Sequence, residues 1–173
     1  SSAGWNGRMA WEIFVSTEFA ASLLEGLMAG DKAAPPVLVG FRAAESLRME
    51  KAYRHWGHEM GTHDTPVEAG LMFAAVLDKP GGFIGREALL AHKQNAPRRR
   101  LLQFLCQDPN AFVYHHEPIF RAGVVVGSVT TGSYGHSLGG AVALGYVSVP
   151  EGMGVADLCA APYEIGVAGR RVA

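Results

Sequence analysis

The chain has 173 residues, of which 49% are apolar and 18% are charged, a composition typical of a globular protein. Its 15 basic and 16 acidic side chains give a formal net charge of -1, so the overall charge balance attracts neither nucleic acid nor an anionic membrane. No apolar run reaches membrane-spanning length. We therefore expect no nucleic acid and no membrane as partners, and one substantial domain or two small ones.

The two cysteines argue against a disulfide-stapled secreted protein. Cys106 and Cys159 lie far apart in the sequence and form no CxxC spacing. We expect both thiols to be reduced and buried. This cysteine usage favours the cytoplasm, or the mitochondrial matrix if the source is a eukaryote.

The first forty residues predict a strand, a helix and a second short strand. Apolar residues alternate across 10–15, with Glu12 between them, as in a half-buried strand. Ser16 offers a helix cap, and an apolar stripe at helical spacing follows over 19–28. A polar, proline-containing connection then leads to a short apolar run at 37–39, which we predict to be a strand.

The central stretch, residues 40–71, carries much of the charge. Glu45, Arg48 and Lys51 recur at helical spacing beside apolar residues, which predicts an amphipathic helix ending before Gly57. Arg48 and Glu50 are interpreted as structural, either on a charged surface or in a buried pair that ties the helix to its layer.

A further strand is predicted after this helix. Turn-forming residues precede an apolar run at 71–77, which is typical of a buried strand. Strands alternating with helices in this first part predict an α+β layer.

Three histidines in the central stretch raise the question of a metal site. His55 and His58 are one helical turn apart, with His63 nearby. Gly57 interrupts any helix between them, and no cysteine lies near, so we predict no metal. His115 and His116 are adjacent, and in a strand they would point to opposite faces.

The sequence pattern changes near residues 94–98, where we place a domain boundary. Before it, Gly81 and Gly82 predict a turn, and a helix begins near Gly85. The arginines at 98–100 are interpreted as a solvated joint between domains, in preference to a contact with phosphate or polyglutamate.

Beyond the boundary, short apolar runs are separated by turn residues. The runs lie at 101–106, 118–121, 124–131, 141–147 and 163–167. Ala122 and Gly123 predict a hairpin turn between two of these runs. Regular spacing without helical stripes predicts a small all-β barrel. Glycines within 127–140 are interpreted as bends of a curved sheet, because no Gly-Lys-Ser/Thr sequence accompanies them.

Several strings in the first part resemble the folate-binding aminomethyltransferase family, which includes the glycine-cleavage T-protein. They are SLRMEK at 46–51, WGHE at 56–59 and TPVEAGL at 65–71. YRHWG at 53–57 and LDKPGGFIGREAL at 77–89 are most similar to the carboxy-terminal module of dimethylglycine and sarcosine dehydrogenases.

The second part resembles the same family. The string GSVTTGSYGHSLGGAVALGYV, at 127–147, is similar to the family's carboxy-terminal barrel. The resemblance implies the carboxy-terminal portion of a folate-binding aminomethyltransferase domain over 1–96 and a β-barrel domain over 97–173. It also implies that the chain begins in mid-domain.

The resemblance implies a folate pocket near the amino terminus. Trp5 stands at the position of a family tyrosine and Glu12 at that of a glutamate whose carboxylate accepts hydrogen bonds from the pterin ring. Arg8 and Ala10 depart from the family pattern, and a tryptophan can stack on a pterin but lacks the tyrosine hydroxyl.

Tyr134 is a further expected folate contact, on the rim of the pocket with His136. The family's arginine ahead of its Asp-Ser-Leu-Arg sequence is Ala44 here, so that contact is not carried over to this chain. The acidic group that handles the folate proton in relatives lies upstream of Ser1. No catalytic residue is therefore assigned.

The resemblance implies transfer of a one-carbon unit from a small N-methyl amine donor to tetrahydrofolate, with FAD confined to an upstream domain. A non-catalytic regulatory or binding module with the same fold is the alternative. A methyltransferase acting on a sulfur donor is a third reading. If the strand at 10–15 exposes an unpaired edge, a homo-oligomer formed through that edge is a further hypothesis.

Overall fold

The computed structural model describes residues 2–3 and 9–173. Within this part of the chain, no helix is long and apolar enough to cross a membrane. The helices are α1 (Ala20–Met28), α2 (Phe41–Glu50), α3 (Arg86–Gln94) and α4 (Val155–Ala160), with 3-10 turns at Thr17–Phe19 and Met72–Ala74. The strands are β1 (Ser2–Ala3), β2 (Met9–Ala10), β3 (Arg99–Leu105), β4 (Pro118–Arg121), β5 (Val124–Gly135), β6 (Gly140–Ser148), β7 (Glu164–Val167) and β8 (Arg170–Val172).

The strand predicted at 10–15 is wrong beyond Ala10. Residues 11–16 have no regular secondary structure, and Trp11 and Phe14 are 75% and 91% exposed. An alternating pattern forms a strand only where a neighbouring strand accepts its hydrogen bonds, and no described strand lies beside this segment. The edge invoked for a homo-oligomer is therefore not formed by these residues, and the oligomeric state stays a prediction.

The helix predicted at 19–28 is confirmed as α1, although the side chain of Ser16 makes no capping hydrogen bond. The strands predicted at 37–39 and 71–77 are wrong. The run at 37–39 is exposed, and the run at 71–77 has no buried residue and includes a 3-10 turn in which Phe73 is 83% exposed. Apolar runs of this length do not distinguish strands from irregular segments.

The second half of the chain forms a six-stranded antiparallel sheet in the order β3-β6-β5-β4-β7-β8. Each predicted strand of this half is confirmed, with ends that differ by a few residues, as is the hairpin turn at Ala122 and Gly123. The sheet is not closed, but the amide of Gln107 donates to the carbonyl of Ala173 (2.8 Å) and brings the ends of the outer strands together. Strand β8 and helix α4 were not predicted.

The core of this half lies on both faces of the sheet, as two clusters of buried side chains. Strand β6 is buried along nearly its whole length and pairs with β3 and β5. The principal cluster includes the fully buried Ile119, Val147 and Leu158. A second cluster, of Met49, Leu101 and Leu144, packs helix α2 against the sheet. Burial of this apolar surface joins the two halves of the chain.

Gly132 permits a close approach between β5 and the loop that precedes β4. A Cβ placed on Gly132 would lie 2.0 Å from the carbonyl oxygen of Val113. Two backbone hydrogen bonds hold this loop on β5: the His116 amide donates to Val129 at 2.7 Å, and the Val129 amide donates to Glu117 at 2.9 Å. The glycine therefore fixes where the loop crosses the sheet.

A buried ion pair joins α2 to the following loop and to the sheet. Arg48 and Glu59 have fully buried side chains, and Arg48 Nη1 lies 2.8 Å from Glu59 Oε2. Glu59 also accepts hydrogen bonds from the His55 amide (2.6 Å) and from the Thr131 hydroxyl on β5. Arg48 forms a second ion pair with Glu45, one turn earlier in α2. The predicted structural role of Arg48, as part of a buried pair, is confirmed.

Glu50 has a structural role at the other end of the same interface. Its carboxylate accepts a hydrogen bond from the Ser137 amide (2.6 Å), in the turn between β5 and β6. This bond from Ser137 holds the pKa of Glu50 below its ordinary value. The hydroxyl of Ser46 donates to the carbonyl of Tyr134 at 2.6 Å. Both contacts place α2 across the end of β5.

The predicted joint at 98–100 is ion-paired as well as partly exposed. Arg99 Nη2 lies 2.6 Å from Asp64 Oδ1, and Arg99 Nε lies 3.2 Å from Glu68 Oε1. The Leu101 amide donates to the carbonyl of Glu68 at 2.9 Å. The loop after α2 is thereby attached to the first strand of the sheet.

Substitution of Gly132 by alanine tests the close approach. We expect Gly132→Ala to lower the free energy of unfolding by about 3 kcal/mol, because the new methyl group displaces the carbonyl of Val113. Gly26→Ala is the matched control, because a Cβ at that helical position meets nothing within 4 Å and is expected to stabilise by about 1 kcal/mol. Denaturant unfolding measures both. Equal effects would contradict the proposed packing.

Substitution of Glu59 tests the buried ion pair. We expect Glu59→Gln to lower the free energy of unfolding by about 3 kcal/mol, because Arg48 loses a buried counter-charge. Adding Arg48→Met should cost less than the two single changes summed, since each single change already loses the interaction between the two side chains. Glu151→Gln, at an exposed turn, is the control and should change stability by less than about 0.5 kcal/mol. If the changes in the free energy of unfolding caused by Arg48→Met and Glu59→Gln simply add in the double variant, the two side chains are not coupled.

Candidate functional site

A cleft of about 520 Å³ lies where α2 and the loop after it meet the sheet. We call it the junction cleft. Four segments of the chain line it: the first turns of α2, the turn at 55–58, and two barrel segments near 114–116 and 130–132. Its lining residues are Phe41, Arg42, Glu45, His55, Gly57, His58, Tyr114, His115, His116, Thr130, Thr131 and Gly132.

Helix α2 contributes an aromatic ring, a cation and a carboxylate. Phe41 and Arg42 occupy its first turn and are exposed, and Glu45 follows one turn later. The Glu45 carboxylate accepts a hydrogen bond from Arg48 Nε at 3.2 Å, so its charge is compensated from within the helix. Arg42 is the cation of α2 that faces the cleft.

The turn after α2 brings two histidine rings together. The His58 amide donates to the carbonyl of His55 (3.1 Å), and Gly57 adopts a left-handed φ of 88°. The two rings stack with centroids 4.6 Å apart. The His55 amide is anchored on Glu59, so the buried ion pair also positions this wall of the cleft.

The opposite wall comes from the loop before β4. Its turn places His116 at a left-handed φ of 67°, and the Tyr114 amide donates to the carboxylate of Glu117 at 2.8 Å. The rings of His115 and His116 lie 4.9 Å apart. These two histidines lie in a turn and not in a strand, so the alternation of strand side chains does not apply to them.

The junction cleft is rich in hydrogen-bond donors and in aromatic surface. Four imidazoles and one guanidinium face it, and Glu45, the carboxylate among its lining residues, is already held by Arg48. Such a lining suits an anionic or polar aromatic ligand better than a cation. Among residues 2–3 and 9–173, no three His, Cys, Asp or Glu side chains come together as a set of metal ligands.

The expected folate contacts lie elsewhere. Trp5 is outside the described residues. Glu12 lies on the exposed segment 11–16, and Tyr134 is 41% exposed at the end of β5, with its ring 5.1 Å from that of His136. Neither Glu12 nor Tyr134 lines the junction cleft. All three assignments stay predictions.

Glu12 lies on an exposed segment that also carries two aromatic residues. Its carboxylate forms no ion pair or hydrogen bond with another described residue. Trp11 and Phe14, on the same segment, are largely exposed.

Sequence reasoning missed the cleft residues Arg42, Tyr114 and Thr131. From the sequence alone, no role is assigned to Arg42 or to the loop before β4. The sequence does contain one indication of this cleft, the two histidine pairs at 55 and 58 and at 115 and 116. Because these pairs lie some sixty residues apart in the chain, only the fold shows that they face one cleft.

The two cysteines have different environments. Cys106 is buried at the end of β3, and burial raises the pKa of its thiol. Cys159 in α4 is exposed, so the expectation that both are buried is wrong for this residue. Helix α4 was not predicted, and it turns this side chain towards solvent.

Two family models match the chain. One, described as the GCVT N-terminal domain, matches residues 1–79, and the other, described as the glycine cleavage T-protein C-terminal barrel domain, matches residues 99–173. The boundary predicted at residues 96 and 97 falls between the two matches and stays a prediction.

Two curated proteins are similar to this chain in sequence. The 4-methylaminobutanoate oxidase (formaldehyde-forming) of Paenarthrobacter nicotinovorans is 40% identical over 80% of this chain and 17% of its own length. Human mitochondrial sarcosine dehydrogenase is 35% identical over 84% of this chain and 16% of its own length. The chain thus spans less than a fifth of each relative.

A solved structure has the same fold. The aminomethyltransferase T of the glycine cleavage system from Bartonella henselae superimposes with a TM-score of 0.73 and 28% sequence identity, over 90% of this chain and 41% of that one. The predicted α+β fold with a carboxy-terminal barrel domain agrees with this match. The chain therefore belongs to the glycine cleavage T-protein family, of which it carries sequence from both the GCVT N-terminal domain and the C-terminal barrel domain.

Proposed function

We propose that this chain is the carboxy-terminal part of a tetrahydrofolate-dependent one-carbon transfer module, in an enzyme of the dimethylglycine or sarcosine dehydrogenase type. The observation that carries the proposal is the order of the two family matches along one chain, an amino-terminal GCVT domain followed by its barrel. The relatives named above, an oxidase and a dehydrogenase of N-methyl amines, support an N-methyl amine as the carbon donor.

When bound, tetrahydrofolate supplies the amine nitrogens that accept the carbon unit. In this proposal Glu12 holds the pterin end by accepting hydrogen bonds on both carboxylate oxygens, and Trp5 and Trp11 provide surfaces for stacking. Tyr134 contributes to the rim. FAD, where the whole protein uses it, belongs to a different domain.

The chain's contribution to the reaction is binding and orientation. A fixed pterin next to the site of carbon release makes the encounter effectively intramolecular, which is worth up to about 7 to 11 kcal/mol in ideal cases. The buried Arg48–Glu59 pair favours this role, because it holds α2 and its loop rigidly on the sheet. No catalytic residue is proposed in this chain.

A non-catalytic binding or regulatory module is the alternative. The departures from the family pattern at Trp5, Arg8 and Ala44 are compatible with this alternative. Folate binding discriminates between the two proposals.

Titration of tetrahydrofolate into the chain, followed by calorimetry, tests the proposed function. We expect saturable binding that weakens about tenfold or more in Glu12→Gln, because the amide cannot accept two parallel hydrogen bonds. Glu18→Gln is the matched control, since Glu18 is also exposed but lies beyond this segment, in the Thr17–Phe19 turn. Equal affinities for the two variants would contradict the role of Glu12. Absence of binding to this chain and to a longer chain that includes upstream sequence would favour the non-catalytic alternative.

A further inference from the structure

The junction cleft is large enough for a small ligand, and the proposed function leaves it unused. Its volume of about 520 Å³ lies within the range of small-molecule sites in proteins. Neither Glu12 nor Tyr134, two of the expected folate contacts, is among its lining residues. The cleft is therefore a candidate for a second binding site, and an inference about its ligand does not depend on folate binding.

Aromatic rings are concentrated in this cleft. Phe, Trp and Tyr together make up 9% of the chain, and the chain has seven histidines, yet six of the twelve lining residues carry a ring. They are four of the histidines, together with Phe41 and Tyr114. Stacked and edge-to-face contacts both stabilise a ring among other rings, so this lining favours a planar ligand.

The rings of both walls are held in place by their neighbours. His55 and His58 stack with centroids 4.6 Å apart and planes 25° from parallel, and the His58 side chain is exposed. This pair therefore offers a ring face to a ligand. On the other wall, the half-exposed ring of Tyr114 packs edge-on against that of Phe112, at 4.7 Å. Rings that are already positioned lose little side-chain entropy when a ligand binds.

The charges beside the cleft favour an uncharged ligand. Arg48 bonds both oxygens of Glu45 and also pairs with Glu59, and Arg42 supplies a second positive charge. Two arginines thus balance two carboxylates on this wall, and Glu117 lies behind the other wall, where it accepts the Tyr114 amide. An anion would gain little from these surroundings. Of the two ligand classes that suit the donors of the cleft, anionic and polar aromatic, the second fits better.

Hydrogen-bond donors are available at the edge of such a ring. The Arg42 side chain is exposed and forms no ion pair or hydrogen bond with another described residue. Glu45, one turn further along α2, does not engage it, because Arg48 already bonds both Glu45 oxygens. A guanidinium group carries five N–H donors and no acceptor, so it suits an acceptor atom such as a ring nitrogen.

We propose that the junction cleft binds a planar, uncharged heteroaromatic ring with a hydrogen-bond acceptor on its edge. The ring stacks on the exposed face of His58, and Arg42 donates to the acceptor atom of the ring. Phe41 and Tyr114 supply further aromatic surface on the two walls.

Three uncharged probes added to the whole chain test both contacts. Nicotinamide, benzamide and cyclohexanecarboxamide share a carboxamide, but only the first two are aromatic and only nicotinamide has a ring nitrogen. We expect saturable binding of nicotinamide, about fivefold weaker binding of benzamide, and still weaker binding of cyclohexanecarboxamide. Amide chemical shifts measured by NMR give the affinities and locate the probe, since the shifts should change together at 55–58 and at 130–132.

Variants of the two proposed contact residues separate stacking from hydrogen bonding. His58→Ala removes the ring face and should weaken nicotinamide binding by about fivefold, whereas His58→Phe keeps a ring face and should restore most of the affinity. Arg42→Gln should weaken the binding of nicotinamide by about fivefold and that of benzamide by less, because benzamide lacks the ring acceptor. His92→Ala, at an exposed position in the last turn of α3, is the matched control and should bind as the parent does.

Three results would overturn the proposal. One is the absence of saturable shift changes with nicotinamide, and another is shift changes confined to residues outside the cleft. The third is equal affinity for nicotinamide and cyclohexanecarboxamide, since the cleft would then not recognise an aromatic ring. If His58→Ala does not fold, the comparison of the three probes on the parent chain still decides the question.

Discussion

The buried ion pair between Arg48 and Glu59 is the interaction on which the arrangement of this protein depends. A buried charge without a partner is costly, so both side chains hold their positions only together. Glu59 also takes hydrogen bonds from His55 and Thr131, and Arg48 also pairs with Glu45. One carboxylate thus fixes a helix, a loop and a barrel strand relative to one another. The junction cleft is the space that remains between those three elements.

The sequence predicted the elements whose signals are local. Helix α2 follows from its charged and apolar faces, and the barrel strands follow from short apolar runs between turn residues. The strands predicted at 10–15, 37–39 and 71–77 failed because a strand needs a hydrogen-bonding neighbour, which no local pattern specifies. Glu59 was quoted within a family string but given no role. Its partner Arg48 is 11 residues away and Thr131 is 72 residues away, so only the fold reveals the cluster.

The candidate site shows the same division between what local sequence reveals and what the fold adds. The resemblance predicts a role for Glu12, which lies on an exposed segment together with Trp11 and Phe14. The fold adds a donor-rich region that no single string predicts, the junction cleft. It lies where the loop after α2 meets the barrel. The attachment of that loop to the sheet therefore shapes this cleft.

Amide hydrogen exchange most directly tests the central role of the ion pair. If Arg48 and Glu59 hold the loop on the sheet, the amide of His55 should exchange through the same opening event as α2, with similar protection. In Glu59→Gln, the exchange protection of the His55 amide and of the α2 amides should fall together, while the paired amides of β6 remain protected. Exchange of the His55 amide at the rate of an unstructured peptide in the parent chain would show that the loop is not held by this pair, and would contradict the proposed arrangement.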